Sequence, residues 1–226
     1  MSADEIIPGS ELSDPLLRAL VVAGHYHKAQ KRKGTQIPYI SHLMTVSAIV
    51  MEAGGTREQQ VAAVMHDAIE DTPMTVADVR RLFGSDVAKI VRACSDTEVL
   101  PKPPWSDRKE RYIRHLARVP DNVLLVSLAD KVHNARCILA DYQREGLKLW
   151  TRFNKESLGA AGQLWYYRSL VGAFAMRRQD LVPKARYLVA EFAGVVANLE
   201  AGIAVREPDA IVKTQRIGAR ANGSGR

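Results

Sequence analysis

Residues 62–72 read AAVMHDAIEDT and place four ionisable groups, His66, Asp67, Glu70 and Asp71, within six positions. On a helix turning 100° per residue they span an arc of about 140°. His66 stacks over Glu70, and Asp67 over Asp71, each pair at i,i+4. Three carboxylates on one arc repel one another. Acidic residues near a helix C-terminus also oppose the helix dipole, by about 0.3–1 kcal/mol. A purely structural helix gains little from this arrangement. A divalent cation resolves the conflict, because it neutralises carboxylates and accepts an imidazole nitrogen. The chemistry so indicated is the binding of a divalent cation.

Such a cation needs ligands from other segments. His42 begins a helix after the extended PYI. Asp130 sits mid-helix in SLADKVHNAR, after the apolar run VLLVSLA, where a carboxylate is costly unless paired or metal-bound. Asn134 lies one turn on, on the same face. His133, at i,i+3 from Asp130, is a rival ligand but is read as a polar core or surface residue. His25, His27 and His115 have no carboxylates around them and are read as structural. Cys94 and Cys137 are read as buried small apolar residues.

The elements that must position these groups are helical nearly throughout. No run of period-2 alternation bounded by hairpin turns is present. Ser13 or Asp14 caps a helix from Pro15 to Arg32, which Gly34 ends. Helices follow over Ser41–Ala53, Arg57–Asp71, Thr75–Phe83 and Ser85–Cys94. LPKPPW, residues 100–105, is a loop, since three prolines cannot continue a helix. Ser106–Arg118, Asp121–Arg144, Lys155–Arg178 and Pro183–Ala204 complete the set, the third with a possible interruption at Gly159 and Gly162. The domain reading is an N-terminal extension over 1–14, one helical bundle over 15–205, and a basic disordered tail over 206–226.

Composition sets the outer bounds. The chain has 226 residues, 46% hydrophobic and 25% charged, an ordinary globular balance that excludes wholesale disorder and fibrous repeats. Two cysteines cannot build a disulfide scaffold or a cysteine-rich zinc site, and a reducing cytoplasm is the expected compartment. The most apolar stretch, Leu188–Val205, carries Glu191, Asn198 and Glu200, so no membrane span is expected. The start, MSADEIIPGSELSD, lacks the basic region of a signal peptide. The formal net charge is +7. The last 21 residues contribute +3 of it, from five basic and two acidic side chains, and KAQKRK concentrates much of the rest.

Four separated motifs carry a family resemblance. They are His27–Gln30–Arg32–Lys33, Pro38–Tyr39–Ile40–His42, His66–Asp67–Glu70–Asp71–Thr72, and Leu128–Ala129–Asp130–Lys131–Asn134. In this order they resemble the hydrolase domain of the RelA/SpoT alarmone family, among the HD-domain phosphohydrolases, over residues 15–175. The long members continue into synthetase and regulatory domains, so the chain resembles a stand-alone small alarmone hydrolase. The resemblance implies an all-α fold and one manganese ion held by His42, His66, Asp67 and Asp130. It implies that Glu70 and Asp71 position and activate the attacking water. Arg32, Lys33 and Asn134 would line the nucleotide pocket, with Lys102 and Tyr166 as further neighbours. Arg32 and Lys33 beside His42 also suit a polyphosphate better than a neutral substrate. Lys28 and Lys31 read equally well as a solvated basic helix end.

Two positions depart from the family pattern: Leu43 follows His42 where proline is frequent, and Ser127 precedes LAD where lysine is common. The activity implied is removal of the 3′-pyrophosphate from guanosine tetra- or pentaphosphate, a small-molecule nucleotide substrate. Two alternatives remain. One is another nucleotide phosphohydrolase, acting on NADPH or, as an antitoxin, on adenosine alarmones. The other is a catalytically silent nucleotide- or nucleic-acid-binding protein using the basic patch. Complete metal ligands and both acids argue against silence, and nucleic acid is not the expected partner. Oligomeric state is not legible.

Overall fold

The computed structural model describes Gly9, residues 11–95, Pro101 and residues 103–223. The architecture is all-α, with no strand among the described residues beyond an isolated antiparallel bridge between Lys31 and Pro38. The helices are α1 (Pro15–Tyr26), α2 (Ile40–Glu52), α3 (Arg57–Met65), α4 (Ala68–Asp71), α5 (Val76–Phe83), α6 (Ser85–Cys94), α7 (Trp105–Leu116), α8 (Asp121–Glu145), α9 (Gly159–Met176), α10 (Tyr187–Arg206) and α11 (Pro208–Gly223).

Local chemistry accounts for most of the boundaries. Asp14 Oδ1 accepts from the Leu16 and Leu17 amides at 2.8 and 2.9 Å, with Pro15 opening α1. Thr56 with Gln59, and Thr75 with Asp78, form reciprocal capping boxes on α3 and α5. Gly84, at φ +90°, ends α5 and turns directly into α6.

The chain separates into two compact units. The first comprises 1–98 and 120–130, the second 99–119 and 131–226. Only one bundle is expected from sequence, because no linker marks the boundary: α8 runs unbroken and apolar through it. The first unit buries Val22, Leu43, Val46, Val61, Met65, Ile90 and Leu124 around α3. The second buries Leu116, Leu164, Leu170, Phe174, Phe192 and Leu199. Together with its preceding turn, α10 is long and apolar enough by length and composition to cross a membrane. Its Leu188, Phe192, Val196, Leu199 and Ile203 are instead buried within the second unit.

Three expectations need correction. The first helix ends at Tyr26, not Arg32, because the chain turns back there: the Arg32 amide donates to Ile37 O at 2.8 Å, and the Tyr39 amide to Gln30 O at 3.0 Å. The helix expected over 57–71 breaks at His66–Asp67 into α3 and α4. The basic tail is not disordered through 223. It forms α11, with Ala210 and Thr214 buried and Thr214 Oγ1 3.1 Å from Ala161 O. Its apolar positions, Ala210, Thr214 and the small Gly218, are too modest to register as a periodic stripe.

Candidate metal centre and its surrounding acids

Four of the expected ligands meet at one point in the first unit. His42 is the third residue of α2 and is 1% exposed. His66 ends α3, Asp67 opens α4, and Asp130 projects from α8. His66 Nε2 lies 3.0 Å from Asp67 Oδ2 and 3.7 Å from Asp130 Oδ1. His42 Nε2 lies 3.2 Å from Asp130 Oδ1 and 3.7 Å from Asp67 Oδ2. Ligand atoms of His42, His66 and Asp67 thus lie within 4.8 Å of one another, close enough to hold one ion, and Asp130 Oδ1 faces both imidazole nitrogens. Adjacent ligands of an octahedral ion with bonds near 2.1 Å stand about 3 Å apart.

The electrostatics suit a divalent cation. His66 Nδ1 is 2.8 Å from Ala63 O. A carbonyl only accepts, so Nδ1 carries its proton and Nε2 is directed at the two aspartates. Nε2 is fully buried and makes no hydrogen bond. Burial disfavours charge on this ring, but Asp67 and Asp130 outweigh it and hold the imidazole well above its ordinary pKa. Burial likewise raises Asp67, but the His66 and His42 rings draw it well below the usual carboxylate range. At His42 burial prevails over Asp130, and the pKa falls. The cluster therefore calls for positive charge at a point where the protein supplies none except a proton. A divalent ion fits the donor set of two imidazoles and two carboxylates.

Around this centre, Glu70 is half-buried on α4 and Asp71 is exposed at its end. Asp71 Oδ2 accepts from Gln30 Nε2 at 2.9 Å. Asp67 Oδ2 accepts from Tyr39 Oη at 2.6 Å. Burial raises the Tyr39 phenol strongly and the Asp67 charge adds to it, so it stays protonated and donates. Arg32 places its guanidinium 5.7 Å from the Tyr39 ring centroid, a cation–π contact, and Lys33 is exposed.

Asn134 is half-exposed on α8 and belongs to the second unit. Tyr166 is 5% exposed in that unit, edge-on to Trp105 and Tyr167 with Lys109 over its ring, and so is part of its core. Lys102 lies outside the described residues. His133 is half-exposed, 3.6 Å from Cys137 Sγ, and is not among the clustered ligands. Neither cysteine forms a disulfide among the described residues, and both are half-exposed rather than buried. Ser127 is buried, with Oγ 3.7 Å from Cys94 Sγ; a lysine there would bury its ammonium against a thiol.

Sequence reasoning missed Gln30 and Tyr39 as working residues and took His27 as merely structural. All three lie inside the motif segments His27–Lys33 and Pro38–His42, and their recurrence there as polar side chains was the available signal.

The comparisons with known proteins agree with this geometry. The family model described as "HD domain" matches residues 19–160. The chain is 37% identical over 124 residues to the guanosine-3′,5′-bis(diphosphate) 3′-pyrophosphohydrolase MESH1 of Xenopus tropicalis, covering 54% of this chain and 68% of that protein. It is 38% identical over 129 residues to the bifunctional (p)ppGpp synthase/hydrolase SpoT of Escherichia coli K12, covering 54% of this chain but only 18% of that protein. Among solved structures, a metazoan ortholog of SpoT described as hydrolysing ppGpp superposes with a TM-score of 0.63 at 28% identity, over 80% of this chain and 94% of that one. The protein lmo0812 of Listeria monocytogenes superposes with a TM-score of 0.60 at 29% identity, over 73% of this chain and 99% of that one.

Proposed function

Because this chain belongs to the HD-domain family, we propose that it is a metal-dependent hydrolase that removes the 3′-pyrophosphate from guanosine tetra- or pentaphosphate. The observation that carries the reading is the convergence of His42, His66, Asp67 and Asp130, with Asp71 one helical turn past Asp67. Those four residues would hold one divalent ion, and the absence of sulfur from the set suits manganese. A bound ion supplies Lewis acidity toward phosphoryl oxygens and makes water acidic enough to attack near neutral pH.

The chain's own residues do the rest. His66 and His42 present Nε2 atoms already oriented, so no rotamer search precedes binding. Glu70 or Asp71 takes or steers the proton of the attacking water. The water oxygen joins the departing diphosphate, the bond from phosphorus to ribose O3′ breaks, and O3′ gains a proton. Arg32 and Lys33 offset the charge of the diphosphate. Asn134 would hold ribose or phosphate through its amide, with Lys102 and Tyr166 as the remaining candidate neighbours. The HD-type hydrolase domain spans 15–205, and α11 packs onto it through Thr214 and Ala161. A chain with only two cysteines, neither in a disulfide among the described residues, suits a reducing, cytoplasmic setting.

A nucleotide panel with added manganese tests this reading, with pyrophosphate and orthophosphate release measured separately. Guanosine tetraphosphate should give GDP and pyrophosphate. Orthophosphate alone, or turnover only with NADPH or an adenosine alarmone, would reassign the substrate.

A further inference from the structure

The segment between α1 and α2 reaches the candidate centre twice, and both contacts trace back to one histidine. Gln30 Nε2 donates to Asp71 Oδ2 at 2.9 Å, and Tyr39 Oη donates to Asp67 Oδ2 at 2.6 Å. A carboxylate accepts only, so the Gln30 amide must point its nitrogen at Asp71. Its oxygen is then left for His27 Nδ1, 2.5 Å away, which must carry the proton. The same His27 ring stacks on Tyr39, with centroids 5.4 Å apart and planes 21° apart. His27 is 2% exposed, and its Nε2 makes no hydrogen bond. A ring kept only to fill the core would not strand a polar nitrogen there. The backbone locks the segment as well, through the Arg32–Ile37 and Tyr39–Gln30 hydrogen bonds.

We infer that Tyr39 and Gln30 are positioning residues with separate duties, Tyr39 for the metal-binding carboxylate Asp67 and Gln30 for the water-steering carboxylate Asp71, with His27 as their common support.

The duties differ because the carboxylates differ. Asp67 faces His66 and His42 across the centre. A donor on Asp67 Oδ2 fixes the carboxylate plane and so the lone pair offered to an ion. Asp71 stands exposed at the end of α4, and a donor on its Oδ2 fixes which oxygen faces an incoming water. Tyr39 has a further tie, since Arg32 packs on its ring. Removing the hydroxyl alone leaves that ring contact and the His27 stack in place.

The assignment to water steering rests on the hydrolase reading above, whereas the metal duty does not. The test uses the full-length protein with Tyr39→Phe and Gln30→Met. Manganese is titrated without nucleotide, by loss of the free-ion electron paramagnetic resonance signal. Steady-state turnover of guanosine tetraphosphate is then measured at saturating manganese. Circular dichroism and Tm establish that each variant is folded. Tyr39→Phe should weaken manganese binding by about 10–100-fold. Gln30→Met should bind manganese like the wild type and lose kcat by roughly tenfold or more at unchanged KM. Wild-type manganese affinity in Tyr39→Phe would overturn the metal duty. Full kcat in Gln30→Met would overturn the other. Equal losses of both properties in both variants, tracking a fall in Tm, would overturn the separation and leave a structural loop. If the wild type proves inactive on guanosine tetraphosphate, the substrate reading has failed, and the metal titration still decides Tyr39.

Discussion

His66 Nε2 and Asp67 Oδ2 lie 3.0 Å apart although the two residues are consecutive in the chain. Neighbours on a regular helix point about 100° apart and do not face each other. The break between α3 and α4 falls at this pair, and it lets both side chains address the same point as His42 and Asp130.

His66→Ala or Asp130→Ala should abolish bound metal and the stabilisation it brings. An ion at a hundred times its Kd stabilises the native state by about 2.7 kcal/mol. Differential scanning fluorimetry with and without manganese should show a Tm rise in the wild type and none in either variant. A wild type without bound metal by elemental analysis, and without that rise, would sink the assignment.

Asp71→Asn and Glu70→Gln should retain metal and lose turnover, by about 10²-fold for whichever acid transfers the proton. Metal content and kcat measured on the same preparations separate this from ligand loss. Two fully active variants would remove both acids from the mechanism.

Glu207 Oε1 accepts from Tyr142 Oη and from Trp150 Nε1, both at 2.8 Å, at the junction of α10 and α11. Glu207→Ala leaves two donors without their acceptor and should cost about 2 kcal/mol or more. Deleting Pro208–Arg226 should also lower Tm, by several degrees, since it exposes the surface that Ala210 and Thr214 cover. A deletion with unchanged Tm would mean that α11 does not hold to the unit.

Gly162→Ala provides a test of sign. An exposed helix position gains about 1 kcal/mol from this change. Here a Cβ would stand 2.0 Å from Ser157 O, a backbone atom, so the substitution should destabilise by roughly 1–3 kcal/mol. Chemical denaturation of the two proteins reads the difference directly.

Asp78 closes the capping box of α5, accepting from the Thr75 amide at 3.0 Å and the Thr75 hydroxyl at 2.7 Å. The Thr75 amide bond, more than any other contact, holds its carboxyl below the usual range. A depressed folded pKa stabilises above the unfolded value, near 3.9, and that stabilisation disappears as pH falls through the folded pKa. Asp78→Ala should therefore cost about 0.5–1 kcal/mol at neutral pH, and its gap from the wild type should close below about pH 4. A gap unchanged between pH 7 and pH 3 would count against the charge.

What the sequence by itself determined is the chemistry and its local frame. The helical class, the caps at Asp14, Thr56 and Thr75, and the clustering of His66, Asp67, Glu70 and Asp71 follow from residue type and spacing, which act over a turn or two of helix. Asp130 was legible as a candidate because a carboxylate inside an apolar run needs a partner, whereas His42 joined the set through the family resemblance of the PYI segment. Only the tertiary structure decided that these four meet, that α3 breaks between His66 and Asp67, and that Tyr39 and Gln30 reach Asp67 and Asp71. It also decided that the basic tail docks as α11 and that the chain divides inside an unbroken α8. Gln30 and Asp71 are 41 residues apart. No local rule links such a pair, since their approach depends on how whole helices pack, and packing sums many weak contacts that no single residue announces.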